Sequence, residues 1–101
     1  MKLQPYIFNC HSCRKQRVTL YNVDMYNKVK LEGHLMQEIF DPDIFPPAYR
    51  EIFISGLCCT CQAKTFGYKL TEQNNFDYEE LEQGKNVKQI NERVTDFYNQ
   101  L

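Results

Sequence analysis

Glycine is scarce in this chain of 101 residues, which contains Gly33, Gly56, Gly67 and Gly84 and no others. Their wide spacing excludes the glycine-rich loops that cradle nucleotide phosphates. No apolar run reaches the roughly 18 residues that a transmembrane helix requires, so we expect no membrane segment. The amino terminus has neither a long apolar stretch nor a small-residue cleavage motif, and it is therefore not typical of a signal peptide.

Strong charge is also lacking. The formal net charge at pH 7 is −1, which argues against broad electrostatic binding to nucleic acid or acidic lipid. The charge is nevertheless uneven, since residues 1–70 have nine Lys/Arg and six Asp/Glu, whereas residues 71–101 have three and seven. Catalytic groupings are missing as well: no third residue completes a triad with His34, and the acids at 79, 80 and 82 are typical of a solvated helix face. We therefore expect a protein that is not an enzyme.

Cysteine is the residue whose pattern is most informative. There are five cysteines, an odd number that suits a disulfide framework poorly and, in a reducing cytosol, favours a metal site. Cys10 with Cys13, and Cys58 with Cys61, form two Cys-x-x-Cys pairs. Two thiolates at this spacing reach one ion, and four of them make the tetrahedral set that structural Zn²⁺ prefers. The sequence thus predicts a cytoplasmic protein with one structural zinc ion held by these four residues.

Other interpretations of the cysteines stay open at this point. A Cys-x-x-Cys pair can act as a redox dithiol, and a rubredoxin-type iron site uses the same four ligands. The spacing could also be coincidental, or His11 could replace one of the ligands. The fifth cysteine, Cys59, is predicted to be a small buried side chain, with metal exchange or oxidation as the alternative.

The predicted fold class is α+β, with a small antiparallel β module at residues 1–70. Segments rich in β-branched, aromatic or alternating apolar residues predict strands at 3–8, 18–25, 28–36 and 63–70. Residues 41–47 contain three prolines and predict a loop. Two predictions remain for the segment that follows, namely a helix that begins at Pro47 or a strand over 51–57.

Each cysteine pair therefore lies between two predicted strands, and in this respect the chain resembles the zinc-ribbon proteins over residues 7–18 and 56–66. The resemblance implies two metal-binding knuckles at the tips of β-hairpins. Ribbon knuckles commonly place glycine after the second cysteine, where Arg14 and Gln62 stand in this chain. The 44 residues between Cys13 and Cys58 also exceed the usual ribbon spacing, so they are predicted to form an insertion with structure of its own.

Residues 71–101 are predicted to form a helical extension, packed on the module or on a partner. A short acidic helix is expected at 76–83 with Asn75 as its cap, and a longer helix is expected from Asn86 to the end of the chain. The longer helix has apolar residues at helical spacing, namely Val87, Ile90, Val94, Phe97 and Leu101. We expect this stripe to pack on the chain's own sheet; a partner or a second copy of the chain is the alternative.

The predicted function is that of a non-catalytic adaptor or regulatory module that binds a protein. Its candidate contact residues are Ile44, Phe45, Val87, Ile90, Val94 and Phe97. The first alternative is a nucleic-acid-binding zinc ribbon, because basic residues interleaved with aromatic ones can hold a single strand. The basic residues of that alternative are Arg14, Lys15, Arg17, Lys28 and Lys30. A thiol–disulfide redox protein is the second alternative.

Overall fold

The computed structural model describes residues 2–82 and 84–101. Strands β1 (Gln4–Asn9) and β2 (Gln16–Tyr21) pair antiparallel. They are followed by helices α1 (Val23–Lys30), α2 (Met36–Ile39), α3 (Pro47–Ser55), α4 (Cys59–Phe66) and α5 (Lys85–Asn99), with a 3-10 turn at Glu72–Asn74 before α5. The predicted α+β class and C-terminal helix are confirmed. In the described ranges no helix combines the length and the apolar character needed to cross a bilayer.

The strand predicted at 28–36 is wrong, and the one predicted at 18–25 ends early. Residues 23–30 form α1 instead. The side chain of Asn22 caps this helix by accepting a hydrogen bond from the Met25 N–H at 3.0 Å. This local capping bond satisfies a helix donor that would otherwise be unpaired, and it outweighs the β-branched and aromatic composition of the segment.

The strand predicted at 63–70 is also wrong, because α4 occupies residues 63–66 and residues 67–70 form no strand. The alternation of Phe66, Tyr68 and Leu70 was the basis of the prediction, yet Phe66 and Tyr68 are exposed. The buried residues of α4 are instead Cys59, Cys61, Gln62 and Ala63, and Gln62 and Ala63 follow Cys59 at the three- and four-residue spacing of a helix face. Three alternating positions are too few to distinguish a strand from a helix end.

Helix α3 settles the ambiguity of residues 47–57, so the alternative strand at 51–57 is wrong. Pro47 stands in the first turn, where its missing N–H costs nothing, and Gly56 ends the helix in the left-handed conformation with φ 72°. The buried face of α3 consists of Ala48, Tyr49, Ile52 and Phe53.

The acidic helix predicted at 76–83 is absent from the described residues 76–82; its last residue, Gln83, lies outside them. Tyr78 instead pairs with Val18 of β2, with backbone hydrogen bonds of 2.8 and 3.0 Å. The neighbouring Phe76 and Asp77 are fully buried. The backbone of this segment is extended because Tyr78 pairs with β2. This pairing and the burial of Phe76 and Asp77 are tertiary contacts, which local helix propensity does not contain.

Aromatic side chains dominate the core. Phe45 contacts Tyr98 with ring centroids 5.0 Å apart, and Tyr49 contacts Phe53 at 5.1 Å. The Tyr49 hydroxyl donates to the Leu20 carbonyl and lies 2.7 Å from the Tyr98 hydroxyl, so it links α3, β2 and α5. The fully or nearly buried members of this cluster are Phe40, Phe45, Ala48, Tyr49, Ile52, Phe53, Cys59, Phe76, Ile90, Val94 and Tyr98.

Several residues that the sequence predicts to contact a partner protein lie in this core. Phe45, Ile90 and Val94 are buried there, while Ile44 and Phe97 are partly buried against it. Val87 is half-buried on the first turn of α5. The apolar stripe of α5 is therefore largely used within the chain, and the proline-rich loop folds back onto the protein.

Candidate metal centre

The four predicted cysteines come together in one cluster. The Sγ atoms of Cys10, Cys13, Cys58 and Cys61 all lie within 4.8 Å of one another, and those of Cys13 and Cys58 are 4.0 Å apart. Four sulfurs bound tetrahedrally at about 2.3 Å from an ion are about 3.8 Å from each other. The cluster is therefore close to the size that a metal ion requires, and the four sulfurs could hold one.

The first cysteine pair lies in the turn between β1 and β2. The Arg14 N–H donates to the Cys10 carbonyl at 2.9 Å, and the Cys10 N–H donates to the Lys15 carbonyl at 3.0 Å. Arg14 has φ 64°, the left-handed conformation that glycine adopts most easily. The turn thus has the geometry expected of a knuckle even though arginine stands at the glycine position, at a cost of about 1–2 kcal/mol.

The second pair is placed differently, because it starts helix α4. Cys58 is the N-cap residue of α4 and Cys61 lies in its first turn. Gln62, at the second predicted glycine position, is helical and buried, and its side-chain amide donates to the carbonyls of Ala48 and Leu57, each at 3.0 Å. The expected second hairpin knuckle is therefore wrong. The helix start serves the same purpose, since its positive end stabilises thiolate charge.

Backbone hydrogen bonds lower the pKa of the Cys10 thiol. Burial alone would raise its pKa, but backbone N–H groups of Cys58, Cys13 and Ser12 outweigh that effect and lower the pKa to about 6. Two of these donors, the N–H groups of Ser12 and Cys58, each lie 3.4 Å from the Cys10 Sγ. Burial raises the pKa of Cys58 and of Cys61. A bound cation would supply the positive charge that these thiols need in order to ionise.

Charged side chains of both signs line the open side of the cluster. A cavity of about 750 Å³ is lined by Cys13, Lys15, Arg17 and Lys64, together with Glu79 and Glu82. Four thiolates and one divalent cation carry two negative charges between them. Lys15 and Arg17 are already paired with Glu79 and Asp77, so the N–H···S hydrogen bonds to Cys10 are the contacts that would stabilise this charge and orient the sulfur.

Sequence reasoning missed a buried ion pair beside the metal centre. The Arg17 Nε donates to the Asp77 Oδ1 at 2.7 Å, and the Cys59 N–H donates to the other carboxylate oxygen at 2.8 Å. Arg17 is 8% exposed and Asp77 is fully buried. Burial by itself lowers the pKa of Arg17, but the Asp77 carboxylate reverses this and raises it, so the guanidinium stays charged. The pair joins β2 to the start of α4.

Cys59 has a place in this arrangement as a buried side chain on α4. Its Sγ accepts a hydrogen bond from the Phe76 N–H at 3.4 Å, and burial raises the pKa of its thiol. Cys59 is not among the four clustered sulfurs. Its backbone and side chain anchor the extended segment that contains Phe76 and Asp77.

The five basic residues predicted to form a nucleic-acid surface do not lie together in the structure. Arg17 is engaged with Asp77, and the Nζ of Lys15 lies 3.4 Å from the Glu79 carboxylate. Arg14 and Lys30 are exposed and line a groove beside β1. Lys28 is exposed on α1. Arg17 and Lys15 thus point to the metal side of the sheet, away from that groove.

The contact between Gly56 and His11 gives a prediction about the loop that delivers Cys58. The His11 N–H donates to the Gly56 carbonyl at 3.1 Å, and a Cβ on Gly56 would lie 2.8 Å from the His11 Cε1. We expect Gly56→Ala to cost about 1–2 kcal/mol for its positive φ and to displace the imidazole. Urea unfolding measures the cost, and NMR of the His11 ring protons measures the displacement.

Gly67→Ala is the matched control for this variant. Gly67 ends α4 as Gly56 ends α3, with φ 76°, and a Cβ there meets no atom within 4 Å. It should cost a similar free energy of unfolding and leave the His11 resonances unchanged. Unchanged His11 resonances in Gly56→Ala would contradict the predicted contact.

Comparison with known proteins adds no assignment to these observations. No protein-family model, no curated protein and no solved structure matches the chain. The function is therefore inferred from the geometry and chemistry of this chain alone.

Proposed function

We propose that the protein is a non-catalytic zinc-binding module that binds another protein. The observation that carries the proposal is the cluster of four cysteine sulfurs. Four thiolates fill a tetrahedral coordination sphere, so no position is left for a water or a substrate, and such closed sites are structural. The proposal keeps the zinc ion and the first knuckle of a ribbon, while the second half of the site is a helix start.

Structural zinc is favoured over a redox dithiol by the way the pairs meet. A redox dithiol needs one pair with an accessible thiolate, whereas here two pairs share one cluster and three of the four thiols are buried. Cys10, whose thiol pKa is lowered by backbone N–H groups, is one of the buried ones. Its N–H···S hydrogen bonds are of the kind that stabilise metal-bound thiolates.

A protein partner is supported by the surface around β1. Ile7 on β1 and Ile54 on α3 are each 52% exposed, which is high for large apolar side chains. A second groove of about 820 Å³ lies between β1 and α5, with Pro5, Ile7 and Val87 among its lining residues. Apolar grooves bordered by charged residues are typical of protein-binding surfaces.

The test of the zinc site begins with the metal content of the purified protein. Elemental analysis should return one zinc per chain. Removal of the metal by a chelator should make the four ligand thiols reactive in a thiol titration, and Cys59 should react as a fifth thiol because loss of the metal unfolds the chain. One iron per chain, or a reversible disulfide in the native protein without metal release, would contradict the proposal.

The test of protein binding uses a displayed peptide library. The zinc-loaded protein should enrich a family of related peptides, and the chelated protein should not. Retention on a single-stranded oligonucleotide is the competing result. If retention is strong and the Arg14→Glu, Lys15→Glu variant abolishes it, the chain binds nucleic acid and the protein-binding proposal fails.

A further inference from the structure

We infer that the outer edge of β1 binds an extended acidic segment of a partner protein, which pairs with β1 as an additional strand. The inference rests on the proposed protein-binding function and adds the place, the conformation and the charge of the partner. It is carried by three observations about β1: the free backbone of its edge, the basic lining of the groove beside it, and the proline it contains.

The register of the sheet shows which backbone groups of β1 are free. Val18 directs its N–H and C=O to Tyr78, on the side of β2 away from β1. Ile7, opposite Val18, is therefore in a non-hydrogen-bonded pair, and its own N–H and C=O point away from β2. Asn9, two residues on, points the same way. Within the described ranges no backbone segment pairs with Ile7 or Asn9 on this side.

The chain itself already uses the next position on this edge. The His11 N–H, which continues the same side of the strand, donates to the Gly56 carbonyl at 3.1 Å. The preceding residue whose backbone faces this outer edge is Pro5, two residues before Ile7. Its ring nitrogen faces outward, so the missing N–H removes no hydrogen bond to β2, as is typical of edge strands. An extended peptide would thus pair with Ile7 and Asn9 and would be stopped at one end by Gly56.

The groove beside this edge has a basic and apolar lining. Its volume is about 490 Å³, and its lining includes Ile7, Asn9, Arg14, Lys30, Ile54 and Gly56. Arg14 and Lys30 are exposed cations, and no carboxylate belongs to the lining. Ile7 and Ile54 supply apolar surface that is half-exposed. Because successive side chains of a strand alternate in direction, a segment alternating acidic and apolar residues would satisfy both features.

A second copy of this chain fits the edge less well than an acidic segment. Pairing of two β1 edges would bring Arg14 and Lys30 of each copy together. The β1 sequence from Gln4 to Asn9 contains no acidic residue that could offset this repulsion. Charge complementarity therefore selects a partner with acidic side chains, in the mode in which a peptide adds a strand to a sheet edge.

The experiment uses fluorescently labelled synthetic peptides and the full zinc-loaded chain. The probe is a peptide of about eight residues, a length that covers one strand, in which Glu and Val alternate. One comparison peptide replaces every Glu with Lys, and another replaces alternate Val residues with Pro to remove N–H donors. We expect saturable anisotropy with the acidic peptide alone, and slower amide hydrogen exchange at Ile7 and Asn9 when it is bound.

Two variants separate the backbone contribution from the charge contribution. Ile7→Pro removes the outward N–H without removing a ladder hydrogen bond, and we expect about 3- to 10-fold weaker binding; Ile7→Val keeps the N–H and should bind normally. Lys30→Glu should weaken binding about 5-fold or more and make the remaining affinity less sensitive to salt. Lys88→Glu, on α5 and outside this groove, is the matched charge control.

Three outcomes would overturn the inference. Equal binding of the lysine peptide would show that the charge of the groove does not select an acidic partner. Protection at Val87 and Asn91 in place of Ile7 would move the partner to the groove beside α5, which leaves the proposed protein-binding function intact. Binding of a single-stranded oligonucleotide that Lys30→Glu weakens and Ile7→Pro does not, with no peptide enriched from the library, would remove both the inference and the proposed function.

Discussion

A Cys10→Ser variant is expected to purify without bound zinc and to lose its cooperative thermal transition. Structural zinc sites contribute on the order of 10–16 kcal/mol at neutral pH, whereas typical domains are stable by about 5–15 kcal/mol. Losing one of the four ligands therefore removes an amount comparable to the whole stability. Elemental analysis and thermal unfolding followed by circular dichroism measure the two effects.

The expected effect is large because a metal ion held by the four cysteines would join parts of the chain that the core holds only indirectly. Cys10 and Cys58 are 48 positions apart. Together with Cys61 they form a buried cluster separate from the aromatic core. Among the partly buried side chains, Phe8 packs against both clusters. Without the ion, the hairpin turn and the segment that starts α4 would keep the N–H···S contacts, the His11–Gly56 backbone hydrogen bond and the neighbouring Arg17–Asp77 pair.

Cys59→Ala is the control for this prediction. Cys59 is buried like Cys10 but lies outside the group of four sulfurs. Its replacement should leave one zinc per chain and cost about 1–3 kcal/mol, from lost packing and an unpaired Phe76 N–H. A Cys10→Ser protein that keeps full zinc content and an unchanged transition would show that the cluster is not the metal site.

The cysteine cluster is the part of the structure that the sequence predicts best. Two thiols at i and i+3 can reach one ion only when the backbone between them turns, so metal binding restricts this segment to a turn or a helix start. A chemical requirement also brings the two pairs together, because four soft ligands fit one ion. The type of backbone that carries each pair is not determined by this spacing. A hairpin turn holds Cys10 and Cys13, whereas a helix start holds Cys58 and Cys61.

The errors in secondary structure have one physical origin. Residues 18–36 and 63–70 are short apolar segments in which alternation and helical periodicity overlap, so single side-chain contacts decide between them. Asn22 decides for α1 through its capping bond to the Met25 N–H. The burial of Gln62 and Ala63 decides for α4. The capping bond is local, whereas the burial of α4 depends on neighbours in space, and a periodicity pattern contains neither.

The role of Asp77 lies beyond what the sequence could predict. Asp77 is 60 positions from Arg17, and it stands in an acidic segment that favours a solvated helix. A partial signal was present in the order of residues, since Phe76 and Tyr78 flank Asp77 and such aromatic neighbours are typical of a buried segment. Nothing in the pattern, however, connects this carboxylate with Arg17 or with the Cys59 N–H.

Asp77→Ala is expected to destabilise the protein by about 3–5 kcal/mol, because it leaves the buried Arg17 guanidinium without a counter-charge. The Cys59 N–H would lose its carboxylate acceptor at the same time. Both losses act at the junction of β2 and α4, next to the Cys58 ligand. Urea unfolding of the zinc-loaded protein measures the cost, and elemental analysis shows whether the variant keeps its metal.

Glu79→Gln is the matched control, because Glu79 also lies near Arg17 but with a partly exposed side chain. Its carboxylate is 3.6 Å from the guanidinium and its side chain is 41% exposed, so its replacement should cost about 1 kcal/mol or less. Arg17→Met should cost less in the Asp77→Ala background than in the native protein, since the unpaired charge is then removed. Equal costs for Asp77→Ala and Glu79→Gln would mean that burial does not strengthen the Arg17–Asp77 pair, and that β2 and α4 are held together by the cysteine cluster alone.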